Sequence, residues 1–187
     1  MKSIFTIHAG EYLVGEYLEK KYKKYNIWIP SKDTGIDLLV TNADNSKSVS
    51  LQVKYSKDFL ITEGREYQEK LYAVGWWTLN ADKIRKSKAD YWVFVFHNLN
   101  KRKMQYLLIS PKELLKKLKA IHPKKKTIQT YLTVTKDMKC WETRGLKKED
   151  LILIAYGSYK NKTRDFTKYL NVWDKALKEL KKTGRGT

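Results

Sequence analysis

Hydrophobic and polar residues alternate with clear periods near the start of the chain. Apolar residues recur at helical spacing over residues 9–25, which predicts a helix whose last turn is rich in lysine. Short apolar segments bounded by turn residues then predict three strands, over residues 26–30, 36–41 and 48–55, and the third alternates cleanly. The last two strands are joined by a polar segment, residues 42–47, which is typical of a hairpin turn.

The middle of the chain continues with longer apolar segments. Residues 64–86 are predicted to be mostly helical, although Gly75 and the tryptophan pair that follows it leave an interruption open. The continuous apolar run over residues 91–96 is typical of a strand buried on both faces. A further strand is predicted over residues 104–109.

Ser110 and Pro111 carry the signals of a helix start, an N-cap side chain and a proline at the first position. This helix is predicted to run to about residue 121. The remaining predicted elements are, in chain order, a basic loop at 122–126, a strand at 130–135, an apolar stretch at 151–156, a last helix at 165–182 and a disordered tail at 183–187. The order of helix, three strands, helix and further strands predicts an α/β fold with a mixed sheet.

Charge is the strongest signal in the composition. The chain has 39 Lys and Arg against 20 Asp and Glu, a net charge of +19. Such an excess suits a polyanionic partner, because each phosphate that a cation neutralises releases counterions. The alternative is a set of solvated lysine faces that have no nucleic-acid partner.

Other classes of function find little support in the sequence. No apolar run of about 18 residues is present, so no membrane span is expected. Neither a Walker loop nor a dinucleotide-binding glycine motif occurs, so no nucleotide cofactor is expected. Cys140 is the single cysteine, which excludes an internal disulfide and a cysteine-based zinc site, and a cytoplasmic location is expected.

Three polar residues of neighbouring predicted strands form the candidate chemical site. Gln52 and Lys54 share one face of their strand because side chains alternate, and Asp37 lies at the start of the strand before it. The carboxylate of Asp37 can hold Mg²⁺, and the amide oxygen of Gln52 can complete its shell. The cation would polarise a phosphate and activate a water, while the ammonium of Lys54 stabilises developing charge.

A further acid is expected from the first helix. Glu11 and Glu16 are five residues apart, about 500° of helical rotation, so they lie roughly 140° from each other and only one can easily face the site. Glu11 is preferred, because it lies in the first turn of a helix that is expected to pack beside the strands. Glu16 is kept as the alternative.

The candidate residues also form a recognisable pattern, made of Gly10, Glu11, Val14 and Leu18, then Gly35-Ile36-Asp37, then Gln52-Val53-Lys54. At these positions the sequence resembles the PD-(D/E)xK nuclease superfamily, most closely the Gln-x-Lys branch found in nucleases that restrict modified DNA. The first helix also resembles that of archaeal Holliday junction resolvases. The resemblance covers about residues 9–110. Two positions depart from the family pattern: Ile36 replaces the proline before Asp37, and Gln52 replaces the second acid.

The resemblance implies a restriction-endonuclease-like core in which Asp37, Gln52 and Lys54 are catalytic and Glu11 is the accessory acid. Together with the site chemistry, this predicts an Mg²⁺-dependent endonuclease, with Mn²⁺ able to substitute, that acts on double-stranded DNA. Because cutting both strands with one site per chain needs two chains, a homodimer is expected. A type II-like restriction endonuclease is the first expectation. The alternatives are a Holliday junction resolvase or repair nuclease, a non-catalytic DNA-binding module, and a basic RNA-binding protein.

The chain is expected to divide into a catalytic core, residues 1–121, and a basic extension, residues 122–187, that serves DNA recognition or dimer contacts. The lysines expected to contact DNA are Lys57, Lys117, Lys124, Lys125 and Lys126. For the aromatic residues Tyr67, Trp76 and Trp77, core packing is the favoured interpretation. Stacking on a distorted or extruded base is the alternative.

Overall fold

Two β-sheets and five α-helices make up the part of the chain that the structure, a computed structural model, describes, which is residues 8–32, 34–60, 66–98 and 103–181. The helices are α1 (Ala9–Lys21), α2 (Ala81–Arg85), α3 (Pro111–Ile121), α4 (Lys148–Ala155) and α5 (Trp173–Ala176). The strands are β1 (Asn26–Trp28), β2 (Leu38–Thr41), β3 (Ser48–Ser56), β4 (Leu71–Asn80), β5 (Tyr91–Asn98), β6 (Lys103–Ile109), β7 (Thr127–Thr135) and β8 (Cys140–Glu142). The predicted tail at 183–187 lies outside the described residues.

The first sheet has five strands in the order β1-β2-β3-β5-β6. β3 and β5 are parallel and the other neighbours are antiparallel, so the predicted α/β class and mixed sheet are confirmed. β5 is buried on both faces, as its apolar run predicts: Val93 and Val95 pack toward α1, and Phe94 and Phe96 pack toward the second sheet. This sheet is therefore the central layer of the molecule.

The second sheet has the order β4-β7-β8, and it corrects the predicted helix at 64–86. Over the described residues 66–86 the longest element is the strand β4, preceded by a 3₁₀ turn at Glu66–Lys70 and followed by the short α2. Burial alternates along β4, because Trp77 and its inward neighbours pack on the first sheet while Trp76 faces outward. Gly75 leaves room for this packing, since a Cβ there would lie 2.1 Å from the ring of Trp77.

The predicted strand at 130–135 is confirmed as β7, and the apolar stretch at 151–156 falls largely in α4. The predicted helix at 165–182 is wrong, because its described part, residues 165–181, contains only α5 and two 3₁₀ turns, Thr167–Tyr169 and Lys178–Lys181. Asn171 breaks it with a φ of 55°. The backbone N–H of Asn171 donates to the carbonyl of Tyr106 at 2.6 Å, and its side-chain Oδ1 accepts from the backbone N–H of Tyr106 at 3.0 Å.

The segment beyond residue 121 shares a core with the segment before it. β7 pairs with β4 over most of its length, and Ile128 and Phe166 lie in the same hydrophobic cluster as Leu114 and Phe94. The assignment of a catalytic role to residues 1–121, and of DNA recognition or dimer contacts to residues 122–187, stays a prediction. No helix in the described ranges is long and apolar enough to cross a membrane.

Candidate active site

A cavity of about 1070 Å³ lies where the N-terminus of α1, the strands β2 and β3, and the end of β4 with α2 meet. Glu11, Asp37, Gln52 and Lys54 all line it. The structure therefore brings the four sequence-predicted side chains to one space. The helix and the two strands that supply them are the elements expected from the sequence.

Asp37 is held firmly at the edge of this cavity. Its backbone N–H donates to the carbonyl of Leu51 at 2.8 Å, which fixes the residue beside β3 just before β2 begins. Asp37 is 8% exposed, and its Oδ2 accepts from the amide Nε2 of Gln52 at 2.5 Å and from the N–H of Val53 at 2.7 Å. Both bonds orient the carboxylate, because a charged acceptor makes short, directional hydrogen bonds.

Gln52 and Lys54 share one face of β3, as the alternation of the strand predicts. Because Nε2 of Gln52 donates to Asp37, its carbonyl Oε1 is the atom left for a cation or a water. Oε1 points toward Gly35, where a Cβ would lie 3.6 Å from it. Gly35 has a φ of 79°, a conformation that glycine adopts at no steric cost. The ammonium of Lys54 lies 5.3 Å from the ring centroid of Trp92.

Of the two acids on α1, Glu11 lines the cavity and Glu16 does not. The side chain of Glu11 is only 4% exposed, and Oε2 accepts a long hydrogen bond of 3.4 Å from the N–H of His8. Glu16 turns outward and pairs with Lys20 at 2.7 Å on the surface. The preference for Glu11 over Glu16 therefore agrees with the geometry of the helix.

The close approach of α1 to β3 depends on Gly10. A Cβ at this position would lie 2.6 Å from Cβ of Tyr55, so Gly10→Ala must push the helix away from the strand. We expect this variant to lower the free energy of unfolding by about 1–3 kcal/mol, the usual cost of overpacking. Gly15→Ala is the matched control, because a Cβ there meets nothing within 4 Å.

Gly15→Ala is expected to stabilise the chain by roughly 0.5–1 kcal/mol, the difference in helix propensity between the two residues. Urea unfolding of the two variants beside the parent chain measures both effects. Equal stability of Gly10→Ala and Gly15→Ala would contradict the proposed contact between α1 and β3.

The wall opposite β3 is basic, and the sequence reasoning missed it. Lys83, Lys86 and Lys88 line the cavity and are exposed. The sequence pattern places Lys83 and Lys86 in one long helix over residues 64–86, whereas the structure has a short helix that begins after β4. The signal was present in Asn80, whose side chain caps this helix by accepting from the N–H groups of Asp82 and Lys83 at 2.9 and 3.1 Å.

The lysines predicted to contact DNA fall into two groups. Lys57, Lys124, Lys125 and Lys126 are exposed. The turn that carries the last three is joined to the cavity wall: the carbonyl of Lys126 accepts from the N–H of Ala81 at 2.8 Å, and its ammonium lies 3.5 Å from Asp82. These four lysines remain candidates for phosphate contacts.

Lys117 has a structural environment instead, and we remove it from the DNA-contact set. Its ammonium donates to the carbonyls of Lys162, Thr163 and Asp165 at 3.0, 2.8 and 2.6 Å. It also lies 4.8 Å from the ring centroid of Phe166. Burial lowers the pKa of Lys117. Since an ammonium has three N–H donors, those of Lys117 are already used within the chain.

The donors in the cavity suit a hard cation. Glu11 and Asp37 offer carboxylates and Gln52 offers an amide oxygen, a set that fits Mg²⁺ with several retained waters. Within the described ranges, no group of three or more His, Cys, Asp or Glu side chains is placed to hold a metal. Cys140 is no candidate nucleophile, because it is fully buried and burial raises the pKa of its thiol.

Comparison of the chain with protein-family models, with curated proteins and with solved structures finds no match in any of the three.

Proposed function

We propose that this chain is a metal-dependent deoxyribonuclease with an active centre of the PD-(D/E)xK type. The observation that carries the proposal is the shared cavity: Glu11, Asp37, Gln52 and Lys54 come from one helix and two paired strands and line the same space. The first sheet adds support, because α1, the antiparallel β1, β2 and β3, and the parallel pairing of β3 with β5 suit a restriction-endonuclease-like core.

Each side chain has a role in phosphodiester hydrolysis. Asp37, Glu11 and the amide oxygen of Gln52 would hold Mg²⁺ or Mn²⁺, which when bound polarises the phosphate and supplies a nucleophilic water. The N–H of Val53 and the amide of Gln52 keep the carboxylate of Asp37 oriented. The ammonium of Lys54 stabilises the negative charge that grows on the phosphate. Gln52 brings one negative charge fewer than Glu, so we expect weak affinity for the cation.

DNA is the proposed substrate because the cavity has a cationic wall. Lys83, Lys86 and Lys88 line the same cavity as Lys54 and would contact the phosphates of a strand bound there. Such contacts position DNA without reading its sequence. With one site per chain, cutting both strands needs two chains, so we propose a homodimer. A restriction endonuclease is the first choice, and a junction resolvase or repair nuclease is the alternative.

A second candidate is a non-catalytic DNA-binding module that keeps this fold. The observation that favours it is the small number of acids: Gln52 stands where a second strand carboxylate would be, and the described residues hold no three-acid group. In that case the cavity would hold a phosphate rather than a cation. Cleavage assays separate the two candidates.

The test is incubation of methylated and unmethylated plasmid with Mg²⁺, with Mn²⁺ or with a chelator, for the parent chain and for Lys54→Ala. We expect metal-dependent cleavage by the parent chain. In Lys54→Ala we expect cleavage to fall by about a hundredfold or more, the usual cost of removing one group that stabilises the transition state. DNA affinity, measured by anisotropy, should change little.

Lys103→Ala is the matched control, because this exposed lysine on β6 lies outside the cavity and its loss removes the same charge. It should cleave like the parent chain. Binding without cleavage under every metal and DNA form would contradict the nuclease and favour the module. Tighter binding to RNA than to DNA would contradict both.

A further inference from the structure

Three aromatic side chains lie together on the outer face of the second sheet, and we call Phe59, Trp76 and Tyr131 the aromatic face. Trp76 and Tyr131 are directly opposite each other on β4 and β7. Their rings are nearly parallel, 16° apart with centroids separated by 6.2 Å, so the two rings are stacked. Phe59 supports Trp76 edge-on at 5.6 Å.

Burial separates this face from the core. Trp77 and Tyr67, the other aromatic residues that the sequence singled out, are 6% exposed and pack inside. Trp76 is 38% exposed although it is large and apolar. Core packing therefore accounts for Trp77 and Tyr67 and leaves the exposed ring of Trp76 to be explained.

Both ends of the aromatic face carry a cation. The ammonium of Lys57 lies 5.4 Å from the ring centroid of Phe59, and the guanidinium of Arg144 lies 5.7 Å from that of Tyr131. The exposed ring of Trp76, flanked by two half-buried rings and two positive groups, suits a ligand with a planar apolar part and negative charges on either side. A nucleotide strand has this composition, with bases for the rings and phosphates for the cations.

The aromatic face is continuous with the candidate active site. Thr78, two residues along β4 from Trp76 and on the same side of the strand, lines the cavity. On the first sheet, Ser56 lies two residues after Lys54 on β3, about 6.6 Å along the strand. The hydroxyl of Ser56 accepts from the N–H of Trp76 at 3.0 Å. The backbone of β4 at Trp76 is therefore hydrogen-bonded to β3 two residues from Lys54, which places the aromatic face next to the cavity.

From these contacts we propose that the aromatic face binds an unpaired base of single-stranded DNA, stacked on Trp76, beside the strand held in the cavity. The inference rests on the proposed function for the identity of the strand in the cavity. It adds a substrate class: DNA with an unpaired or extruded nucleotide next to the scissile phosphate. Lys57 and Arg144 hold the phosphates that flank this base.

The experiment measures binding only, so it does not depend on cleavage. A fluorescein-labelled single-stranded 12-mer and an abasic 12-mer of the same charge are titrated with the parent chain, in chelator, by anisotropy. The parent chain should bind the base-bearing strand more tightly. In Trp76→Ala we expect this affinity to fall by roughly tenfold, within the range of base–aromatic stacking, and affinity for the abasic strand to stay unchanged.

Trp28→Ala is the matched control, because Trp28 is 50% exposed on β1, the outermost strand of the other sheet. It should bind both strands like the parent chain. Trp76→Phe, which keeps an aromatic ring, should retain most of the affinity, and Trp76→Leu should not. Thermal unfolding followed by circular dichroism shows whether each variant is folded. If Trp76→Ala is unfolded, the comparison of Trp76→Phe with Trp76→Leu replaces it.

Parental affinity in Trp76→Leu would overturn the proposal, and so would an equal loss for base-bearing and abasic strands, since that result implicates phosphates alone. Tighter binding of an RNA 12-mer would overturn the assignment to DNA. Failure of the nuclease proposal shows itself differently, as binding with no cleavage by the parent chain. The two proposals can therefore fail separately.

Discussion

Cleavage of plasmid DNA is expected to fall by about a thousandfold or more in Asp37→Asn at saturating Mg²⁺. A cation polarising the phosphate contributes several kcal/mol to the transition state, and each 1.4 kcal/mol is about a factor of ten in rate. The substitution removes the charge of the carboxylate that would hold the cation. The amide oxygen of the new side chain can still accept from the N–H of Val53, and the backbone bond from residue 37 to the carbonyl of Leu51 is unaffected. Single-turnover rates over a range of Mg²⁺ concentrations measure the effect.

Asp82→Asn is the matched control for this prediction. Asp82 lines the same cavity, but its carboxylate already pairs with Arg85 and lies 3.5 Å from the ammonium of Lys126. Its loss should change the rate only a few-fold. A parental cleavage rate in Asp37→Asn, or equal losses of rate in Asp37→Asn and Asp82→Asn, would contradict the assignment of Asp37 as a cation ligand. DNA affinity measured in parallel shows that the variant still binds.

The second large effect is expected on stability, in Glu142→Gln. The side chain of Glu142 is fully buried and accepts from the guanidinium of Arg164 at 2.5 Å. His122 and Thr130 contact its other oxygen at 3.2 and 3.3 Å. Replacing the carboxylate leaves the charge of Arg164 buried without its partner, which costs about 3–5 kcal/mol when one member of a buried pair is removed. Urea unfolding should show the loss as a lower midpoint with an unchanged slope.

Glu16→Gln makes the same chemical change at an exposed ion pair, that of Glu16 with Lys20 on α1. Solvent screens this pair, so no measurable change in the urea midpoint is expected. A parental midpoint for Glu142→Gln would show that the buried pair adds no net stability. Glu142 also matters near the aromatic face, because Arg164 donates to the carbonyl of Arg144 at 3.0 Å and so fixes the backbone of that residue.

The first sheet could be predicted from the sequence because its signals are local. β3 alternates strictly, which placed Gln52 and Lys54 on one face, and β5 is a continuous apolar run. The turn before β2 set Asp37 beside them. Each of these features depends on residues close together in the chain, and local patterns are the ones that sequence periodicity reports.

The second sheet could not be predicted because its cause is distant. β4 is stabilised by pairing with β7, more than forty residues later, in a register that joins Trp76 to Tyr131. Without that partner, the aromatic and small residues of β4 fit a helix or a strand equally well. The cavity wall was missed for the same reason, because Lys83, Lys86 and Lys88 take their places only when β4 ends at Asn80.

This pairing has a consequence for how the protein is made. The cavity lysines Lys83, Lys86 and Lys88 follow β4 in the chain. β4 can pair with its neighbour β7 only after Thr127–Thr135 has been synthesised. A ribosome-bound chain that stops earlier would carry the residues of β3 but expose the open edge of β4 to other chains. We therefore expect premature termination before β7 to yield a fragment that lacks the completed cavity and tends to aggregate.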